Sequence, residues 1–250
     1  MTPERITARK NPLLQKARRL LTSRREREET GLYAAEGTKL LSEAVKWSAN
    51  LDAVILADGV EAEVPENVRL ISVPRDVMDS LSTMSTPQGA LFLCRLPEKK
   101  AFVPKPGMLL LDGIQDPGNL GTILRTADAL GIPVALLEGC ADPYSHKTVR
   151  ASMGAVFRCP PQQTTWQEAR MALVQAQIPV AATALTDNAR DLREARLCQV
   201  AVVIGSEGQG VRQEILADAQ MNLIIPMNPR CESLNAAIAA AIVMWQMKQE

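Results

Sequence analysis

The most constraining stretch of this chain is residues 109–131, LLLDGIQDPGNLGTILRTADALG, where an apolar run, a Gly/Pro loop and a helical pattern follow one another without a gap. Leu109, Leu110 and Leu111 show no alternation, as expected of a strand buried on both faces of a parallel sheet. Asp112 ends the run. Gly113, Pro117 and Gly118 then punctuate a loop that lets backbone come near a partner. Ile123, Leu124 and Ala127 recur at helical spacing, so a helix is expected from about residue 120. Open parallel sheets bind ligands beyond the carboxyl ends of their strands. Asn119 and Arg125 therefore become candidate site residues. The competing reading is an ordinary βα turn with a surface arginine.

The rest of the chain alternates in the same way. In the N-terminal half, a helix is expected over residues 13–21, a loop or helix end over 22–30 and a strand over 33–36. Thr38 is expected to cap a helix running to 46, strands to follow at 51–57 and 68–73, a helix at 75–81 and a strand at 89–96. Residues 97–107, PEKKAFVPKPG, are proline- and lysine-rich and read as an extended linker. Beyond them, strands are expected at 134–137, 180–185, 200–204 and 223–226. Helices are expected at 145–156, 166–177 and from Glu232–Asn235 to the end, with a turn at residues 186–188. Alternating strands and helices give an α/β protein of two domains.

Composition narrows the function. No apolar run reaches the roughly 20 residues of a membrane span, and residues 1–12 are charged, unlike a secretory signal. Five scattered cysteines without CxxC spacing read as reduced cytosolic thiols, which places the chain in the cytoplasm. One histidine, His146, rules out a multi-histidine metal centre, and no metal is expected. Equal numbers of acidic and basic residues argue against a uniformly basic coat, yet residues 1–27 hold nine Arg and Lys against two Glu, a pattern suited to phosphate. With eight aromatic residues in all, a base-stacking platform is not expected. Neither GxGxxG nor GxxxxGK[ST] occurs, which disfavours dinucleotide and ATP binding.

Three stretches occur in one order: DPGNLGTILRTADALG at 116–131, VVIGSEGQGV at 202–211, and NLIIPMNPRCESLNAAIAAAIVMW at 222–245. Together they resemble the three signature motifs of the SpoU (TrmH-like) RNA ribose 2′-O-methyltransferases of the SPOUT superfamily. NPLLQKARRLL and GLYAAEGTKLLSEAV resemble that family's N-terminal RNA-binding domain.

The resemblance implies an L30e-like α/β domain over residues 1–98, a linker over 99–106, and a methyltransferase domain over 107–250. The last would be a parallel-sheet α/β fold with a deep trefoil knot, a feature that periodicity alone does not reveal. It implies S-adenosylmethionine as cofactor, held by main-chain groups at Gly205, Ile225 and Leu234. Catalytic positions are implied at Asn119, Arg125, Glu207, Ser233 and Asn235, often shared across a homodimer formed by the C-terminal domain. Ser233 and Asn235 are also candidate helix caps, and Arg150 a candidate phosphate contact or a salt-bridged helix residue. Two roles stay open for Arg125: a base, or a holder of substrate phosphate that stabilises developing alkoxide. The implied acceptor is RNA, ribosomal before transfer RNA. The alternative function is a non-catalytic RNA-binding or ribosome-assembly protein.

Overall fold

The structure is a computed structural model that describes residues 3–186, 189–206, 208–228, 230–231 and 233–249. The expected turn at 186–188 and Pro229 fall partly or wholly outside these residues. The chain divides into two compact units. One comprises Met1–Glu98 and Asp142–Arg158, the other Lys99–Ala141 and Cys159–Glu250.

The first unit opens with β1 (Glu4–Arg5), α1 (Pro12–Thr22), α2 (Arg24–Thr30), β2 (Leu32–Glu36), α3 (Thr38–Lys46), β3 (Leu51–Ala57), β4 (Arg69–Val73), α4 (Arg75–Leu81) and β5 (Ala90–Arg95). Its five strands run in the order β1-β4-β3-β5-β2. The β1, β4 and β3 strands are parallel, and β5 runs antiparallel to both β3 and β2. Helix α1 starts where Asn11 accepts from the Leu13 amide at 2.9 Å, with Pro12 in its first turn. Residues 22–30, expected as a loop or helix end, include the helix α2. Its surface carries i,i+4 pairs, Arg24–Glu28 and Arg25–Glu29, and no apolar stripe that would mark it in the sequence. The cap of α3 is Gly37, at φ 113, with Thr38 already inside the helix.

The second unit begins with β6 (Leu109–Asp112), α5 (Pro117–Leu130) and β7 (Val134–Leu136). Helix α5 starts three residues before the expected position, because Asp116 accepts from the Asn119 amide at 2.7 Å and Pro117 fits the first turn. The chain then contributes α6 (His146–Ala151) and α7 (Ala155–Arg158) to the first unit. It returns as β8 (Gln162–Gln163), α8 (Trp166–Gln175), β9 (Val180–Thr183), β10 (Arg190–Asp191), β11 (Ala201–Gly205), α9 (Gln213–Asp218), β12 (Met221–Ile224) and α10 (Ala236–Met247). The seven strands run β10-β12-β9-β11-β6-β7-β8, every pairing parallel. Leu110, Val203 and Ala182 pack on one face under Trp166, Ala169 and Leu173 of α8 and Ile215 of α9. Leu109, Leu111, Val202 and Ile204 alternate to the other face and are buried too. Burial on both faces is why these strands read as unbroken apolar runs.

The segment Asp142–Arg158 completes the first unit's core. Leu14, Leu20, Ile55, Ile71 and Met78 fill one face of the five-stranded sheet. On the other, Tyr144 packs on Tyr33 with ring centroids 5.0 Å apart, and Phe157 on Phe92 at 6.3 Å. Arg27, 4% exposed, donates to Asp142 at 2.8 Å and to the Leu20 carbonyl at 2.6 Å. His146 Nδ1 lies 2.7 Å from the Leu21 carbonyl. The single helix expected over 145–156 is broken at Met153 (φ 50) and Gly154 (φ 87). A Cβ on Gly154 would sit 3.0 Å from Glu43 Cβ, so the break lets backbone close on α3.

Candidate active site

The carboxyl edge of the seven-stranded sheet carries the loops after β6, β11 and β12. In that sheet β9 alone separates β11 from β12, so their ends lie about 10 Å apart. Asn119 enters from the first turn of α5 and Asn235 from the cap of α10. Asn235 Oδ1 accepts from the amides of Ala237 and Ile238 at 3.0 and 3.3 Å. That bond pattern fixes its amide group, and Nδ2 donates to Asn119 Oδ1 at 3.0 Å. One residue thus ends a loop, starts a helix and joins the first motif to the third.

Gly205 ends β11 and is buried. A Cβ there would run into the backbone of Gly210 and Val211. The loop closes back on it: the Gly210 amide donates to the Ser206 carbonyl at 2.9 Å, and Gly210 takes φ 66. Only glycine at 205 permits this. Gly208, Gln209 and Gly210 are exposed and present main chain to solvent. Glu207 lies outside the described residues. Ile225, just after β12, and Leu234, just before the Asn235 cap, are half-buried, and Ser233 is exposed. Asn235, rather than Ser233, caps the helix, which starts at Ala236 and not at the expected 232–235.

A charge cluster that sequence reasoning missed holds the same edge. Asp112, buried at the end of β6, accepts from the Arg212 amide at 2.9 Å and from Arg212 Nε at 2.8 Å. Arg212 also reaches Glu138 at 2.8 Å and Glu214 at 2.9 Å, and Glu138 accepts from the Trp166 amide. Burial acts to lower the Arg212 guanidinium, but Glu138 and Asp112 outweigh it and raise it above its ordinary value. Burial likewise acts to raise the Glu138 carboxyl, while its own amide, Arg212 and the Trp166 amide hold it below the usual carboxylate range. The clamp fixes the end of the Gly205–Arg212 loop to β6. Its only sequence signal was an aspartate closing an apolar strand.

Arg125 is exposed on α5. Six residues along a helix from Asn119, it lies about 9 Å further on and roughly 240° around. The two residues therefore leave the helix on different faces.

A model of the SpoU rRNA Methylase family matches residues 106–245, which hold all three loops. The chain belongs to the SpoU rRNA methylase family. A second model, of an MRM3-like substrate binding domain, matches residues 11–91. The 23S rRNA (guanosine(2553)-2'-O)-methyltransferase RlmP of Bacillus subtilis strain 168 is 30% identical, over 98% of this chain and 99% of its own. Among solved structures, a TrmH-family protein of Porphyromonas gingivalis superposes with TM-score 0.84 at 33% identity, covering 94% of this chain and 96% of its own. An AdoMet-bound rRNA methyltransferase of Sinorhizobium meliloti has TM-score 0.84 at 28% identity, covering 98% and 97%.

In this SpoU methylase the basic N-terminal segment is balanced locally. Arg5 pairs with Asp58, Arg9 with Asp76, Arg19 with Glu26, Arg24 with Glu28 and Arg25 with Glu29, while Arg27 is buried on Asp142. The patch expected from residues 1–27 is thus much less positive than its composition, because carboxylates from α2, α4 and the β3–β4 region face it. Glu36 accepts from the Ser82 hydroxyl and from the Thr83 amide at 3.1 Å. Arg150 is exposed on α6, and among the described residues it has no ion pair. Among the described residues no helix is long and apolar enough to cross a membrane.

Proposed function

We propose that this SpoU methylase transfers the methyl group of S-adenosylmethionine to a ribose 2′-hydroxyl of ribosomal RNA. The observation that carries this reading is the Asn235–Asn119 bond, which draws the first and third motif loops together at the sheet edge that also holds Gly205. The residues present suit the donor: main-chain groups of a glycine loop at 205–210, with half-buried Ile225 and Leu234 as apolar walls. When bound, the sulfonium supplies an activated methyl, so the protein must orient the acceptor oxygen and help remove its proton. Asn119, held by Asn235, orients the ribose or Arg125. Exposed Ser233 is assigned to the donor side, and the role carried over to Glu207 is to secure its loop. A guanidinium holds its proton tightly. Arg125 is therefore read as the group that grips substrate phosphate and stabilises the alkoxide, the proton leaving to phosphate or water.

The resemblance to the family points to a homodimer in which Arg125 completes the partner's site. Ile238, Ile242 and Trp245 follow one another at i, i+4 and i+7 on α10 and are exposed, an apolar stripe suited to that contact. The parallel order in which β11 inserts beside β6 accords with the trefoil knot of the resembling family. The five-stranded α/β sheet supports reading residues 1–98, completed by Asp142–Arg158, as an L30e-like substrate-recognition domain, joined through residues 99–106 to a methyl-transfer domain formed by the rest of 107–250. Free cysteines throughout accord with a cytoplasmic setting.

The test is methyl transfer from labelled S-adenosylmethionine to RNA from cells lacking this protein, followed by digestion to nucleosides. Label in a 2′-O-methylnucleoside of ribosomal RNA is expected. Label in transfer RNA would move the acceptor, and label on a base would overturn the reaction.

A further inference from the structure

Trp47 is the one large aromatic side chain of the first unit that stands 47% exposed, at the C-terminal cap of α3. The three tryptophans of the chain are 47, 166 and 245. Trp166 is buried in the second unit's core, and Trp245 belongs to the stripe on α10. Two cations attend the Trp47 ring. Lys46 Nζ and the Arg158 guanidinium carbon each lie 5.9 Å from its centroid.

Arg158 is placed there by structure. Glu43 accepts from its Nη1 at 2.5 Å, and the Met153 carbonyl from its Nη2 at 3.5 Å. Gly154 makes this possible, since a Cβ would lie 3.1 Å from that guanidinium. The turn that interrupts α6 and α7 thus exists where backbone must fit between Glu43 and Arg158. Lys39 and Lys46, seven residues apart, share the exposed face of α3, and among the described residues neither is ion-paired. Arg158, like the arginines of α2, is offset by a carboxylate, here Glu43, so the two lysines carry the positive charge of this face.

An exposed indole flanked by cations suits a partner that is flat, apolar on its face and anionic at its edge. We propose that Trp47 is a stacking site for an unpaired nucleobase of the substrate RNA, with Lys46 facing the adjoining phosphate. The assignment rests on the RNA-methyltransferase reading and adds to it a single-strand contact on the substrate-recognition unit. Bases splayed from RNA loops stack on aromatic rings without regard to sequence, and the contact gains from nearby cations.

The experiment measures binding of the full chain to a single-stranded oligoadenylate, together with methylation of deproteinised ribosomal RNA. Trp47→Ala is expected to weaken oligoadenylate binding by roughly 5- to 150-fold and to raise KM for RNA with kcat little changed. Trp47→Phe should retain most of the affinity, and oligoadenylate should quench tryptophan emission in the natural chain but much less in Trp47→Phe. Because stacking is not ionic, Trp47→Ala should leave the salt dependence unchanged, whereas Lys46→Ala should reduce its slope by about 1. Unchanged oligoadenylate affinity and unchanged KM in Trp47→Ala would overturn the proposal. If the natural chain itself bound no RNA and transferred no methyl, the underlying enzymatic reading would fall instead.

Discussion

At Asn235 a single amide serves two ends. Its oxygen satisfies two orphan amides of α10, and its nitrogen holds Asn119. Substitution separates the roles. Asn235→Asp keeps the cap but sets a carboxylate oxygen against Asn119 Oδ1, so thermal stability should change little while methyl transfer falls by about a hundredfold or more. Asn235→Ala should also lose about 1 kcal/mol of stability, read by denaturant titration. Arg125→Ala should cut transfer to below about a hundredth with donor affinity largely kept, as measured by calorimetry. At Gly205 the backbone of Gly210 occupies the space of any side chain, so Gly205→Ala should lower donor affinity by about tenfold. These positions were singled out in the sequence by resemblance to the family's motifs, since spacing alone left an ordinary βα turn and a plain helix cap equally open. Asp112, Arg212 and Glu138 were not, because the residues of the clamp lie 100 and 74 positions apart and only folding gathers them.

Among elements, the sequence disclosed those with an apolar stripe or an apolar run. Helix α2 escaped because its visible chemistry is charge, paired at i,i+4, and its one buried side chain is Arg27. The break between α6 and α7 escaped because the reason for it, Glu43, lies in another helix. The buried pair of Arg27 with Asp142 anchors that segment to the first unit. Asp142→Ala would leave the guanidinium buried and unpaired, and should destabilise the chain by about 3–5 kcal/mol, whereas Arg27→Met with Asp142→Leu should restore most of it. The loop clamp makes a pH prediction. Glu138 is depressed relative to its unfolded value near 4.5, so its contribution is complete above that pH and is lost as pH falls through the lower folded value. Donor affinity should therefore be flat from neutrality to about pH 5 and decline below it, a decline that Glu138→Gln should largely remove.

For the whole molecule, residues 1–98 are not a complete unit, since Tyr144, Phe157 and Asp142 come from beyond the β7 strand. A fragment ending at residue 98 should expose Tyr33 and Phe92 and aggregate or unfold more readily than the full chain. In the proposed homodimer, Asn119 and Asn235 of one copy work with Arg125 of another on an RNA ribose. The most direct test mixes two inactive variants, Arg125→Ala and Asn235→Asp, by co-expression, and measures 2′-O-methyl transfer to ribosomal RNA. In a two-fold dimer with shared sites, each mixed dimer holds one intact site, so random pairing should restore about a quarter of natural activity. Activity no greater than that of either variant alone would contradict the shared site and place Arg125 and Asn235 in the same chain's chemistry or outside it.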